Sequence, residues 1–565
     1  MTPAILTLFL SLSPAAVGPE AVPWNAQNAE HLLNRAGFGA RSAEIDAAVA
    51  AGLDATIERL LTPSIDWEMP SYERIVEPAK KDLEGLSKEE QDKQRRVARE
   101  ADRRQMLEAT AWWFREMETT DAPLQEKMVL FWHGLFTTSI EEAKRSFLVL
   151  QQHEFLRRNA LGNYADLLRG IARDPGMLVY LDNNVNRKGA PNENFARELM
   201  ELFSLGEGNY TEEDVKEAAR ALTGRGSSRD GNYEFRSRQH DAGEKTVLGV
   251  TGKLDGDQLV DILLKQDACP RWIARRLITW FEGVEPQSAR LAEYARVLRA
   301  ERYEIRPFLE KLFSDPRFYR DEVVGARVLG PVEYMVGTAR RTQIEVPAGL
   351  LGAGAALLGQ RVFSPPSVKG WDEGYAWITT STLMQRGNLA GLMLGVVKVA
   401  DVMSMADVEA EMAAEAQSAM QDEGGMQSDS TDEPGMRPMT GEAGPGTKTA
   451  AKPAVKPKTG KAGGYAMEIL RRIEGSGWYP IVNFRVRLER ADARTDAQIV
   501  DRMLDDLLAI PAPADTRERM RAFLAGERKE RKIAEGQLLE TGGEAERILR
   551  RMAHLILSLP EAQLG

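Results

Sequence analysis

The chain has 565 residues, 43% of them apolar and 28% charged, the composition of a folded globular protein large enough for one big domain or two smaller ones. Its 85 acidic residues outnumber its 74 basic ones, giving a formal net charge of −11. That balance argues against nucleic acid as a partner, because a phosphate-binding surface shows a basic excess.

Residues 4–12 form a short apolar run followed by Pro14, Ala15 and Ala16. The run suits the apolar region of a secretory signal over residues 1–22 and is too short to span a membrane, although no Lys or Arg precedes it. The expectation is a periplasmic or secreted protein, or a cytoplasmic one if the run is not a signal. No other stretch is apolar for long enough to cross a bilayer, so the mature chain carries no transmembrane segment.

Apolar residues then recur at three- and four-residue spacing, which predicts helices over 29–35 and 43–61. A long charged helix over 87–117 ends in Trp112, Trp113 and Phe114 and must enter a core there. Its cluster of Lys93, Arg95, Arg96, Arg99, Arg103 and Arg104 is interleaved with acids and reads as a solvated face. Further helices are expected at 124–136, 147–159 and 164–172. Another starts at the N-cap Thr211 and runs to Leu222. Between 233 and 250 the period changes to alternation around a turn-rich stretch, which predicts one small β-hairpin or extended loop. Helices resume at 257–265, 270–281 and 306–312. The lone cysteine, Cys269, excludes an internal disulfide and reads as a small buried residue.

The fold class is therefore all-α, with a main helical domain over 23–403. From 404 to 464 the composition shifts to small and polar residues, acidic first and lysine-rich later, too apolar-poor to offset its ordering entropy; this insert is expected to be disordered. A C-terminal helical part over 465–565 is expected to pack on the main domain.

The segment 191–206 is the richest in chemistry. On a helix, Asn194, Arg197, Glu198 and Glu201 fall within an arc of roughly 100°, while Phe195, Leu199, Leu202 and Phe203 are among those filling the rest. Arg197 and Glu201 are one turn apart and are expected to pair. Two readings compete. The stripe is either a solvated or structural ion network, or it faces a cleft in which Arg197 binds an anionic group and Glu198 or Glu201 acts as acid, base or metal ligand. Asn192, Glu193 and Asn194 add polar groups at the helix entry.

Ordered blocks along the chain resemble a bacterial domain-of-unknown-function family, family 1800. They include His31 to Gly39, Phe131-Trp132-His133, Leu156 to Tyr164, Tyr180-Leu181-Asp182 and the 192–206 segment. Tyr210 to Val215 follow, then His240-Asp241 with Gly243 and Lys245, and Pro365 to Trp371 with Ala376-Trp377. The resemblance implies a bacterial origin, frequent export and a secreted gene neighbour resembling sulfatases and phosphatases; it implies no reaction. Members often carry a second histidine or an asparagine after Trp132-His133, where this chain has Gly134-Leu135.

His240-Asp241 lies in the turn-rich loop, where an imidazole oriented by a carboxylate makes a base or ligand, with Lys245 as a nearby ligand-binding cation. His133 and His153 are candidate ligands for a divalent metal, although no compact metal motif is present and a hydrogen-bonded core histidine is the plainer reading. Trp371 and Trp377 sit in a rigid Pro-rich loop and either stack on a ligand or plug the core, with Lys369 and Arg386 as nearby charges. The stripe and the His240 loop converge on one cleft if the protein is an exported enzyme of acid/base or metal-assisted hydrolysis or transfer. They pair off internally if it is a binding or scaffold protein.

Overall fold

The computed structural model describes residues 22–64, 68–404 and 459–565, with side chains from 464 onward in the last stretch. The segment 1–22 expected to be a signal, apart from Val22, lies outside the described residues. So does nearly all of the insert 404–464, except that the helix Thr459–Gly475 begins within it.

The protein is mainly α-helical, as its periodicity predicts. The 32-residue helix Lys88–Thr119 starts at a Ser87/Glu90 capping box, and its far end buries Trp113, Phe114 and Met117. That end packs on the small-residue helix Ala348–Leu357, where Gly352 lies directly against the Phe114 ring and Thr110. The same helix also supports Thr459–Gly475, where Gly349 lies against Ile469.

Two helices form the centre of the molecule. Pro123–Leu135 is buried along almost its whole length, and Pro331–Thr342 entirely so, charged side chains included. Burying charge is costly unless each group is paired. Accordingly Lys127 donates to Glu333 and to Gly37 O, while Arg327 pairs with the same Glu333. The two cations hold the Glu333 carboxyl down at about 2 despite its burial. A second enclosed set joins Arg157 to Glu126, which also accepts from Trp113 Nε1 at 3.0 Å.

The β content is small but divided differently from the single hairpin expected over 233–250. Tyr233–Phe235 pairs backward with Arg225–Ser227, in the register Arg225↔Phe235. Lys245–Val247 pairs with Val250–Gly252 to form a separate antiparallel hairpin. The connecting pair, Leu248 and Gly249, takes φ +49° and +79°, the doubly positive conformation that suits a two-residue hairpin turn. A leucine is held there because its amide donates to Asp214 Oδ1 at 2.6 Å.

C-terminal helices close over the central pair. Asp496–Leu507 packs on Pro331–Thr342, and Gly543–Leu557 on Thr380–Met393. Leu329 N donates to Gln563 O and Gly565 N to Arg327 O, both at 2.9 Å, so the segment 327–329 is braced by residues 563–565. The buried Arg386 ties the same two segments together through Leu329 O and Gln563 Oε1.

Candidate functional site

The polar stripe does not lie on one uniform helix. Asn194–Met200 is α-helical, and Glu201–Leu205 continues as a single π-turn, closed by Gly206 N donating to Glu201 O at 3.0 Å. Three groups hold this wider turn: Ser204 Oγ donates to Leu199 O at 2.6 Å, Trp272 Nε1 donates to Leu202 O at 3.0 Å, and Gly206 exits at φ +79° against the Trp272 ring. Such turns are rare in helices and recur at functional sites.

The π-turn changes the pairing expected from an even helix. Glu201 does not pair with Arg197; its carboxylate accepts the Tyr210 hydroxyl at 2.8 Å. Arg197 instead makes a two-pronged ion pair with Glu212, at 2.8 and 2.7 Å, and a longer contact with Glu193 at 3.3 Å. Glu212 stands in the first turn of the next helix, Glu212–Leu222, and there meets the planar guanidinium fork in the bidentate geometry it favours. Arg197 thus joins two helices.

Glu198 is half-buried, and its carboxyl accepts no hydrogen bond from the described residues. Burial and the neighbouring Glu201 carboxylate push its carboxyl up to about 7, against the opposing pull of Lys369 and Arg197. Lys369 comes from the aromatic loop. Tyr180, at the end of the helix Pro175–Tyr180, completes the surroundings, its hydroxyl driven upward by burial, by Glu142 and by Glu198 itself. Glu198, Glu201, Tyr210, Lys369 and Tyr180 therefore form one polar group. Tyr180 and Tyr210 stood inside family-like sequence blocks, and that membership was their only signal.

The His240 loop has its own partners. His240 Nδ1 lies 3.0 Å from Thr223 O, and its ring packs on Phe235. Asp241 does not orient the imidazole as the adjacent letters suggest; it accepts from Arg220 Nε at 2.8 Å and from Gly243 N at 2.9 Å, and Arg220 foremost holds it down at about 2. Lys245 is buried and donates to the carbonyls of Asp241 and Gly243, at 2.5 and 3.0 Å. These contacts close a turn rather than open a site, and none of them reaches Glu198. The helix entry borders this loop: Lys188 N donates to Gln239 O at 2.7 Å, and Asn192 N to Asn186 Oδ1 at 3.0 Å. Asn192 Oδ1 in turn accepts from Asn194 N at 3.0 Å, in the manner of a cap.

His133 and His153 lie in an aromatic enclosure. Phe363 N donates to His133 Nε2 at 3.0 Å, and the ring is flanked edge-on by Trp113 and Trp371. His153 is packed among Trp112, Trp113 and Phe363, and both of its ring nitrogens are buried without a hydrogen-bond partner. Burial pulls His133 down to about 3 and His153 well below its ordinary range, so both are neutral at physiological pH. Among the described residues, no group of three or more His, Cys, Asp or Glu side chains is placed to hold a metal ion. Trp377 is buried beside Gly359, whereas Trp371 is half-buried and lines a cleft of about 230 Å3. A wider open groove near Tyr72 and Arg158 shares no residue with either the Glu198 group or this cleft.

No curated protein and no solved structure matches the chain. No helix among the described residues is long and apolar enough to cross a membrane. A single family model matches residues 31–564, nearly the whole sequence, and by that match the chain belongs to DUF1800, a family described as a protein of unknown function.

Proposed function

We propose that the protein is an exported acid/base enzyme, a hydrolase or transferase acting on an envelope or extracellular substrate, with Glu198 as general acid and Glu201 as the carboxyl beside it. The observation that carries this reading is the contrast in the surroundings of the two carboxyls. Glu198 is held protonated near neutral pH by burial and by the charge beside it, while Glu201 is engaged by the Tyr210 hydroxyl. A carboxyl that keeps its proton beside a second carboxyl is what protonation of a leaving group and stabilisation of the developing positive charge require. Lys369 and Tyr180 lie within electrostatic reach of Glu198.

The test is activity. Purified protein is incubated with peptidoglycan and with cell-surface polysaccharides, and released fragments are followed by mass spectrometry. Wild-type protein should release fragments that Glu198→Gln releases about 10²- to 10⁴-fold more slowly, the range for loss of a general acid. Equal release by both proteins would overturn the assignment. Activity that resists chelators separates acid/base chemistry from the metal-assisted variant.

The alternative is a non-catalytic scaffold of the envelope. It draws support from Arg197, Asp241 and Lys245, whose charges are all met by internal partners. Co-purification with a secreted sulfatase- or phosphatase-like protein, with no fragment release, would favour it.

A further inference from the structure

Helices from the two ends of the chain meet over the central helix Pro331–Thr342, and one carboxyl at that seam differs from its neighbours. The helix Ala26–Ala36 places Glu30 and Asn34 one turn apart on the same face. Asn34 Oδ1 accepts from Arg341 Nη2 at 3.0 Å, which ties this face to the end of Pro331–Thr342. The helix Asp496–Leu507 packs on the same central helix and brings Asp505 and Asp506 within electrostatic reach of Glu30.

Each aspartate has cations of its own. Asp506 meets Arg487 at 2.8 Å and Arg502 at 3.0 Å, and it accepts the Ser42 hydroxyl at 2.7 Å. Arg487 also donates to Arg341 O at 3.1 Å, closing the ring of contacts around the seam. Asp505 meets Arg517 at 3.1 Å. Glu30 is half-buried and forms no ion pair among the described residues. Arg341 lies near it but spends a guanidinium nitrogen on Asn34. An enclosed carboxyl without a counter-charge avoids the cost of ionising by keeping its proton. Burial pushes Glu30 up to about 7, with Asp505 and Asp506 adding to the push and Arg341 and Asn34 opposing it.

We infer that Glu30 is a proton-operated catch on this seam: protonated, it lets Asp496–Leu507 close dry over the central helix, and ionised, it draws water between them and loosens the C-terminal helix. The inference does not rest on the acid/base reading, because no residue of the Glu198 group takes part in it. Its direction with pH is set by the raised proton affinity. The catch holds fully below pH 4.5 and is lost as pH rises through about 7.

Hydrogen exchange of the full-length protein at pH 5 and pH 8, followed by mass spectrometry and corrected for the intrinsic pH dependence of exchange, tests it. Wild-type Asp496–Leu507 should lose protection roughly 10- to 100-fold between the two conditions. Glu30→Gln, which keeps the shape of the protonated carboxyl, should retain at pH 8 the protection it has at pH 5. Asp505 is exposed, so Asp505→Asn leaves the fold intact, and it should diminish the loss by removing a charge that raises Glu30. Equal protection of the wild-type helix at the two pH values, a Glu30→Gln protein that loses as much as wild type, or a loss that Asp505→Asn leaves undiminished would each overturn the inference.

Discussion

Glu198 retains a proton near neutrality because its carboxyl is half-enclosed next to a second carboxylate, and this arrangement works against stability. An acid whose folded pKa is raised from 4.5 to about 7 favours folding fully below pH 4.5, and that contribution is lost as pH rises through about 7. Glu198→Gln, which keeps the shape and removes the charge, should therefore stabilise the protein above pH 7 by roughly 2 kcal/mol and change little at pH 4. Urea denaturation at the two pH values reads the difference; an equal effect at both would show that the raised proton affinity is absent. A gain in stability together with a loss of activity is the signature of a group kept for chemistry. Residue identity made Glu198 and Glu201 visible in the sequence, as the polar positions of an otherwise greasy segment. What sets their chemistry was hidden, because Lys369 arrives from a distant loop and Tyr210 from beyond the helix end.

Elements were legible where period and caps agree. The capped helix Glu212–Leu222 and the apolar helix Pro123–Leu135 fall where spacing places them, because capping and burial act locally. The π-turn was not legible: apolar spacing reads straight through Glu201–Leu205, and the wider turn depends on Trp272 and Ser204, which no local pattern connects to it. The strand Tyr233–Phe235 was misassigned for a similar reason. Alternation reveals a strand but not its partner, and Arg225–Ser227 is too short to declare itself. The π-turn gives the element-scale prediction. Gly206→Ala places a methyl 2.9 Å from the Trp272 ring at a positive φ, combining backbone strain with overpacking. The expected cost is about 2–4 kcal/mol. The stability rise of Glu198→Gln above pH 7 should shrink in that background, since the turn positions Glu201 beside Glu198. Calorimetry of the single and double variants measures both, and a Gly206→Ala protein as stable as wild type would remove the strain argument.

Across the whole molecule, the all-α class followed from periodicity, whereas the charged centre did not, since nothing in the sequence announces that Lys127 and Glu333 meet inside. Glu333→Gln would leave Lys127 and Arg327 enclosed without their counter-charge, and should cost about 3–5 kcal/mol at pH 7. The sign with pH is opposite to that of Glu198. Glu333 is held below its unfolded value, so its contribution is present above pH 4.5 and is lost as pH falls through about 2. Wild type and variant should thus converge in stability as the solution is acidified; a gap that persists at pH 2 would contradict the pairing. Arg327 adds one more consequence. Arg327 and Val328 form part of the wall of the Trp371 cleft, and the segment 327–329 leans on Gln563 to Gly565. During synthesis, then, the helices that flank the cleft can assemble early, but its wall stays unbraced until the ribosome has delivered residues 563–565. Removing residues 563–565 should accordingly loosen this wall before it disturbs the central helices.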